Sequence, residues 1–317
     1  MTEYSNNEHP LITVITPYYN NESTVLLALD SLFLQTYDNI QFLFIDDGSA
    51  SFDRDAITRY IEAHKKENIR EYTVLQNGEN LGTVKTINHG LEAAKGEYIF
   101  LLAADDCYCD ERVLSDWVAE FLRTGADVIT AKRAVYDQDL ETFLYYAPTK
   151  KQIRSIKEKA PTELLECLTG ENYIFGACTA YSRKSYDYVG GKLDERFRLI
   201  DDHPFHLKLL HAGVPILFFD REVIRYRMGG VSNYNRIDKS YFAEADSIFE
   251  LVALPLSKRK CHARYAYRCW KYRIIARRDA ARLRLRFRTN EKKSGKALYL
   301  FLMLLRHPLF MINKLFN

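Results

Sequence analysis

The sequence predicts an α/β chain built on a mostly parallel central sheet with helices on both faces, followed by a helical, basic C-terminal appendage. Three observations carry that expectation. Strand-like and helix-like segments alternate through the first 110 residues, two buried strands end in paired carboxylates, and positive charge is concentrated after Ser257. Regular alternation calls for parallel strands joined by right-handed crossovers. Acidic strand ends then place charge at the sheet edge where open α/β folds bind ligands.

Taken in order, Leu11–Thr16 (LITVIT) is β-branched and stops at Pro17, whose missing backbone donor suits a strand end. Residues 22–35 carry apolar side chains at 25, 26, 29, 32 and 33, a helical stripe. Gln41–Ile45 is a second buried strand, closed by Asp46-Asp47-Gly48-Ser49. A helix over 55–66, a strand over 72–76, a turn at Asn77-Gly78-Glu79-Asn80 and a helix over 83–95 follow. Glu97–Ala104 is a short buried strand entered through Gly96, with Asp105-Asp106 at its carboxyl end. Adjacent carboxylates repel, so a hard divalent ion such as Mg²⁺ or Mn²⁺, shared with substrate phosphates, fits there. A solvated turn or a cap for the helix at 111–122 is the competing reading.

Beyond Cys107 the pattern predicts a helix over 112–123 stopped by Gly125, with Trp117 in the core, and a strand over 128–131. Residues 133–170 are less regular. Their basic run, Lys150, Lys151, Arg154, Lys157 and Lys159, reads as a solvated loop or, second, as a lid near an acceptor. Residues 174–181 form a strand in which Gly176 points to close approach of a ligand or another backbone. A helix over 182–189 closes at Gly190-Gly191, and Asp201-Asp202-His203 opens an amphipathic helix within 197–213. Carboxylates at a helix start are favoured by the macrodipole, so a simple cap accounts for them. His203 and His206 share a helix face but stand outside any H-E-x-x-H pattern, which weighs against a metal role. Short strands over 216–219 and 223–226, a loop Arg227–Ser232 and a helix over 237–254 stopped by Pro255 complete the body.

Composition bounds the function. With 317 residues, 47% hydrophobic and 27% charged, the chain suits one large α/β domain with an appendage. No run approaches the roughly 18 apolar residues of a membrane span, and the polar start MTEYSNNEHP is unlike a signal peptide. The catalytic body is therefore expected in the cytoplasm. Six cysteines without a C-x-x-C pair read as reduced, mostly buried thiols. Neither the dinucleotide fingerprint nor a P-loop is present. The net charge of +3 hides an asymmetry: residues 258–317 hold 18 Lys/Arg against Asp279 and Glu291, a net of +16 that leaves −13 on residues 1–257. Tyr265, Tyr267, Trp270 and Tyr272 interleave that basic run, and Ala297–Leu305 is apolar throughout. Nine apolar residues cannot span a bilayer but can lie in its interface between Lys292, Lys293, Lys296 and Arg306.

Several motifs stand in register: Thr16-Pro17-Tyr18-Tyr19-Asn20, Asp46-Asp47-Gly48-Ser49, Asn80-Leu81-Gly82 leading to Asn88, Gly96-Glu97-Tyr98-Ile99, and Asp105-Asp106. In that order and spacing, residues 10–235 resemble the family 2 inverting glycosyltransferases of the bacterial polysaccharide type. The resemblance implies a GT-A catalytic domain over 1–235, with a nucleotide-binding part at about 10–110 and an acceptor part at about 111–235. It leaves 236–317 as a helical, basic segment whose charge and apolar runs point to membrane association, with packing on the catalytic domain or a dimer contact as the competing reading. It further implies that Pro17 and Tyr19 line the nucleotide pocket, that Asp47 accepts a hydrogen bond from the base, and that Asp105 meets the ribose or diphosphate. Asp106 would hold Mn²⁺ or Mg²⁺. The family's frequent first aspartate of this element is Ala103 here, and its frequent arginine before Asn88 is Ile87. Lys85 and Arg227 are the nearby cations left to meet the diphosphate. Asp202 corresponds to the catalytic base, supported by Asp201.

The expected activity is transfer of a sugar from a UDP-type donor to a hydroxyl of a glycan or lipid-linked saccharide, by metal-assisted single displacement at the inner face of the cell membrane. A homo-oligomer stays open, and nucleic acid is not an expected partner. Two rivals are a catalytically silent sugar-nucleotide scaffold and a nucleic-acid binder using the basic tail. The −13 body and the lack of a recognisable RNA or DNA module disfavour the second.

Overall fold

The computed structural model describes residues 9–229, 239–286 and 293–315. Its first half alternates as expected: β1 (Ile12–Tyr18), α1 (Val25–Phe33), β2 (Ile40–Asp46), α2 (Arg54–His64), β3 (Ile69–Gln76), α3 (Thr83–Ala93) and β4 (Tyr98–Leu101). These strands run parallel in the order β3-β2-β1-β4, with Ile12 opposite both Ile40 and Tyr98. Then follow β5 (Cys107–Tyr108), α4 (Val113–Thr124), β6 (Val128–Tyr136), β7 (Phe143–Ala147), α5 (Lys150–Glu158), α6 (Pro161–Leu168), β8 (Thr179–Ser182), α7 (Arg183–Asp187), α8 (Asp202–His211) and β9 (Ile216–Arg227). This half mixes directions. β8 is antiparallel to β4 and β6, β9 is parallel to β6 and antiparallel to β5, and β7 forms an edge hairpin on β6. Among the described residues the nine strands make one sheet.

β1 and β2 are apolar on both faces because helices cover both. Val14, Phe42 and Phe44 point to one side, where Leu29 and Leu32 of α1 and Trp117 and Phe121 of α4 meet them. Ile15, Leu43 and Ile45 point to the other, toward Val84 and Ile87 of α3 and Leu209 and Leu210 of α8. Trp117 is 2% exposed and meets Phe100 edge to face with centroids 5.4 Å apart, so it is the core residue its pattern predicts.

Four local expectations are corrected. The basic run is helix α5, not a loop: the Thr149 hydroxyl accepts from the Gln152 N–H while Gln152 accepts from the Thr149 N–H at 2.8 Å, a capping box. The expected strand over 174–181 begins as a 3₁₀ turn (Gly176–Cys178) and becomes strand only from Thr179. The two short strands after 216 are one, β9. Only two of the six cysteines, Cys107 and Cys178, are buried, and Cys261 is exposed; all six are free.

The largest difference concerns the appendage. α9 (Lys239–Ile248), a π-turn (Phe249–Ala253), α10 (Leu254–Leu256) and the start of α11 (Lys260–Arg286) pack into the body. Ile248, Phe249, Val252, Ala263, Tyr267, Trp270 and Ile274 share one core with α6 and α8, so the division expected at 235 is no packing boundary. Charge follows the same rule. Lys271 pairs with Asp246 at 2.7 Å and Arg273 with Glu171 at 2.8 Å, so part of the basic tail neutralises the acidic body. Beyond Ile274 the rest of α11 joins α12 (Lys293–Arg306) and α13 (Pro308–Leu315) around a small cluster of Ala280, Leu283, Tyr299, Met303 and Met311. Among the described residues no helix is long and apolar enough to cross a membrane. Gly230, Val231 and Ser232 of the expected loop, Ile237 and Lys292 lie outside the described residues.

Candidate active site

The carboxyl ends of β1 and β2 and the turn after β4 open into a cleft of about 710 Å³, the edge where ligands bind in open α/β sheets. Pro17, Tyr19, Asp47, Asp105, Asp106, Asp201 and Asp202 all line it.

The β2 end is built to hold a carboxylate still. Buried Asp46 accepts from the Ser49 N–H at 3.1 Å, and the Ser49 hydroxyl accepts from the Asn20 N–H at 2.9 Å. Between them Gly48 has φ +70°, and a Cβ there would lie 2.3 Å from the Glu79 carbonyl carbon, so only glycine fits. Asp47 in turn accepts from Leu81 N–H at 2.8 Å, Gly82 N–H at 2.9 Å and Asn77 Nδ2–H at 3.0 Å. Three donors thus fasten the turn after β3 to the sheet edge through the one residue that also lines the cleft.

Asp105 and Asp106 lie in a tight turn closed by the Asp106 N–H to the Ala103 carbonyl at 3.1 Å. Asp106 Oδ1 accepts from the Arg227 N–H at 2.9 Å, and the Arg227 Nε–H donates to the Asp105 carbonyl at 3.0 Å. The Arg227 Nη1 donates to the Gln138 carbonyl. Burial pushes both carboxyls up, Asp106 well up, with the charge of Asp105 adding to the effect there. Hard oxygen donors that cannot both ionise comfortably suit a Mg²⁺- or Mn²⁺-type ion. Among the described residues no cluster of three or more His, Cys, Asp or Glu could enclose one. Two carboxylates alone would leave most of such an ion's shell to water and phosphate oxygens.

The second acidic pair, Asp201 and Asp202, lines the same cleft. Asp202 Oδ2 accepts from the Gly176 N–H at 3.0 Å and Oδ1 from the His203 N–H at 2.6 Å. A Cβ on Gly176 would sit 3.2 Å from the Asp202 Cβ and 3.3 Å from Asp201 Oδ2. The close approach expected at Gly176 is thus to these carboxylates. Burial, with the charge of Asp202 second, raises Asp201 to about 7. His203 and His206 are engaged elsewhere, with the Leu168 carbonyl at 2.9 Å and the Tyr181 hydroxyl at 2.7 Å.

A family model described as glycosyl transferase family 2 matches residues 13–190, more than half the chain. The chain belongs to glycosyl transferase family 2. The uncharacterized glycosyltransferase EpsJ of Bacillus subtilis is 25% identical over 219 residues, 69% of this chain and 61% of that protein. Glycosyltransferase GlyG of Streptococcus pneumoniae is 27% identical over 245 residues, 75% of this chain and 78% of GlyG. The chain thus spans about three-fifths of EpsJ's length. Among solved structures, S. aureus TarS 1–349 in complex with UDP-GlcNAc is similar at TM-score 0.58 and 17% identity, over 92% of this chain and 78% of that one. Mannosyltransferase PcManGT from Pyrobaculum calidifontis, in complex with GDP-Man and Mn²⁺, is similar at TM-score 0.51 and 16% identity, over 83% and 75%. These likenesses establish the fold as GT-A.

Two of the residues nominated in this family 2 chain land differently from the rest. Lys85 is exposed on the outer side of α3, close enough to Glu195 to help lower that carboxyl, and does not line the cleft. Arg227 ends β9 and is committed to the backbone of Asp105 and Gln138. The structure adds residues that the sequence did not single out. Arg133 of β6, Arg198 and Tyr241 of the appendage line the cleft, and Tyr267 and Trp270, visible in the sequence only as aromatics within the basic run, line it with them. Glu244 of α9 accepts from three consecutive backbone N–H groups, Arg198 at 2.9 Å, Leu199 at 2.7 Å and Ile200 at 2.6 Å, and so fixes the segment that delivers Asp201 and Asp202.

Proposed function

We propose that this family 2 chain moves a sugar from a nucleotide diphosphate donor, with UDP as the expected carrier, to a hydroxyl of a glycan acceptor with inversion. One observation carries the reading: Asp47, the pair 105–106 and the pair 201–202, from distant parts of the chain, line a single cleft. In this reading Asp47 and Tyr19 meet the nucleoside. Asp202 takes the proton of the acceptor hydroxyl as its oxygen bonds to the anomeric carbon, and the bond to the diphosphate breaks on the opposite face. General-base help of this kind is worth about 10²–10⁴ in rate. Bound through Asp106, with Asp105 beside it, Mn²⁺ or Mg²⁺ would supply neutralising charge for the diphosphate. Similarity to transferases solved with UDP-GlcNAc or with GDP-Man and Mn²⁺ supports a sugar-nucleotide donor. A thermal-shift screen of sugar nucleotides with Mn²⁺ tests the reading. The true donor at about 100 times its Kd adds about 2.7 kcal/mol of stability, and a melting temperature unmoved by every sugar nucleotide would sink it.

The acceptor is proposed to be lipid-linked, which gives the α12–α13 surface a purpose. Phe301, Leu305 and Leu309 are 59%, 64% and 66% exposed, and Leu298 and Leu304 are also open. A short helix with such a face can lie in a bilayer interface, and each nearby Lys or Arg adds about 1 kcal/mol at an anionic leaflet. Co-sedimentation with anionic liposomes and weak retention by neutral ones is the expected result. A protein that stays in the supernatant at low salt, or that forms dimers through this face, would assign it to packing between copies instead.

A further inference from the structure

Arg133 on β6 is held unlike any other cation near the cleft. Its guanidinium carbon lies 3.7 Å from the ring centroid of Phe175 and 4.1 Å from that of Tyr226, a sandwich that fixes its plane and leaves the N–H edges as its only polar outlets. Its Nε is buried without a hydrogen-bond partner. Among the described residues no carboxylate forms an ion pair with it, although it lines an acid-rich cleft. The other arginines there are committed. Arg227 donates to the carbonyls of Asp105 and Gln138, Arg198 to Asn80, and Arg273 pairs with Glu171.

Its location can be read from its neighbours. Its two ring partners each adjoin one acidic pair: Phe175 precedes Gly176, whose N–H donates to Asp202 at 3.0 Å, and Tyr226 precedes Arg227, whose N–H donates to Asp106 at 2.9 Å. Arg133 therefore stands between the two acidic pairs, where the bond from sugar to diphosphate must lie if the proposed chemistry is correct. That bond breaks with negative charge gathering on phosphate oxygens, and a fixed cation aimed at developing charge is among the most effective stabilisers available. A planar guanidinium suits two phosphate oxygens at once.

We propose that the Phe175–Arg133–Tyr226 stack is an oxyanion site and that Arg133 binds the donor diphosphate and holds it as it departs. The inference rests on the family-level donor reading above and adds a residue to it. The test compares UDP with uridine by calorimetry at fixed Mn²⁺, using wild type, Arg133→Met and Arg133→Lys, each checked by melting temperature. Arg133→Met should weaken UDP about tenfold, leave uridine unchanged and lower kcat about 10²-fold. Arg133→Lys should recover part of both, and added guanidinium should partly restore the Met variant. Equal weakening of UDP and uridine would make the role structural. Unchanged UDP affinity with a raised acceptor KM would move the oxyanion to an acidic acceptor. Either result overturns the proposal while sparing the donor reading. Wild-type protein that binds neither UDP nor any other nucleoside diphosphate overturns both.

Discussion

Asp202→Asn is expected to leave UDP binding intact and to lower sugar transfer by about 10²-fold or more. Asparagine keeps a side-chain oxygen for the Gly176 N–H, so the turn that faces the base survives and the lost function is proton acceptance. Asp201→Asn is expected to be milder in rate and to have a separate signature in stability. Burial raises Asp201 from 3.8 to about 7 in the folded chain, so the native state prefers it protonated. Its favourable contribution is complete below about 3.8 and is lost as pH rises through about 7. Asp201→Asn should therefore melt progressively higher than wild type between about pH 4 and pH 7 and by a constant margin above that, a trend that scanning calorimetry reads directly. Should the two variants lose activity equally, or in the reverse order, the base is Asp201.

The other large effect is expected at Asp106. Asp106→Asn can still accept from the Arg227 N–H and removes a charge that burial disfavours, so the fold should hold. The metal-dependent part of UDP binding should disappear, as measured by titration with and without Mn²⁺. Calorimetry showing the same affinity and the same metal response as wild type would exclude Asp106 from the ion site.

The half of the cleft built from β1, β2 and β4 was legible because each strand is a short apolar run ending in punctuation that has a physical cause. Asp47 needs Gly48 beside it to turn the chain, and that pair is visible in four consecutive letters. The other half was hidden by distance or by context. Glu244 lies 46 residues from Arg198, and nothing local marks it as the acceptor for that backbone. Arg133 lies just past the apolar run that stops at Ala131, whereas β6 itself runs to Tyr136. A charge inside a strand interior would have been the signal. Lys85 lies away from the cleft for a geometric reason: Val84, Ile87 and Asn88 define the buried side of α3 and turn Lys85 outward. The basic helix α5 was masked by its own lysines, although Thr149 and Gln152 already spell its cap.

The three backbone hydrogen bonds that Glu244 accepts mean that the unit carrying the acidic pairs is not modular in the way its family boundaries imply. The matched stretch stops at 190, before Asp201 and Asp202, and the carboxylate that pins their segment belongs to a helix beyond β9. Exchanging C-terminal helices between relatives is therefore expected to shift Asp201 and Asp202 along with the exposed surface of α12 and α13.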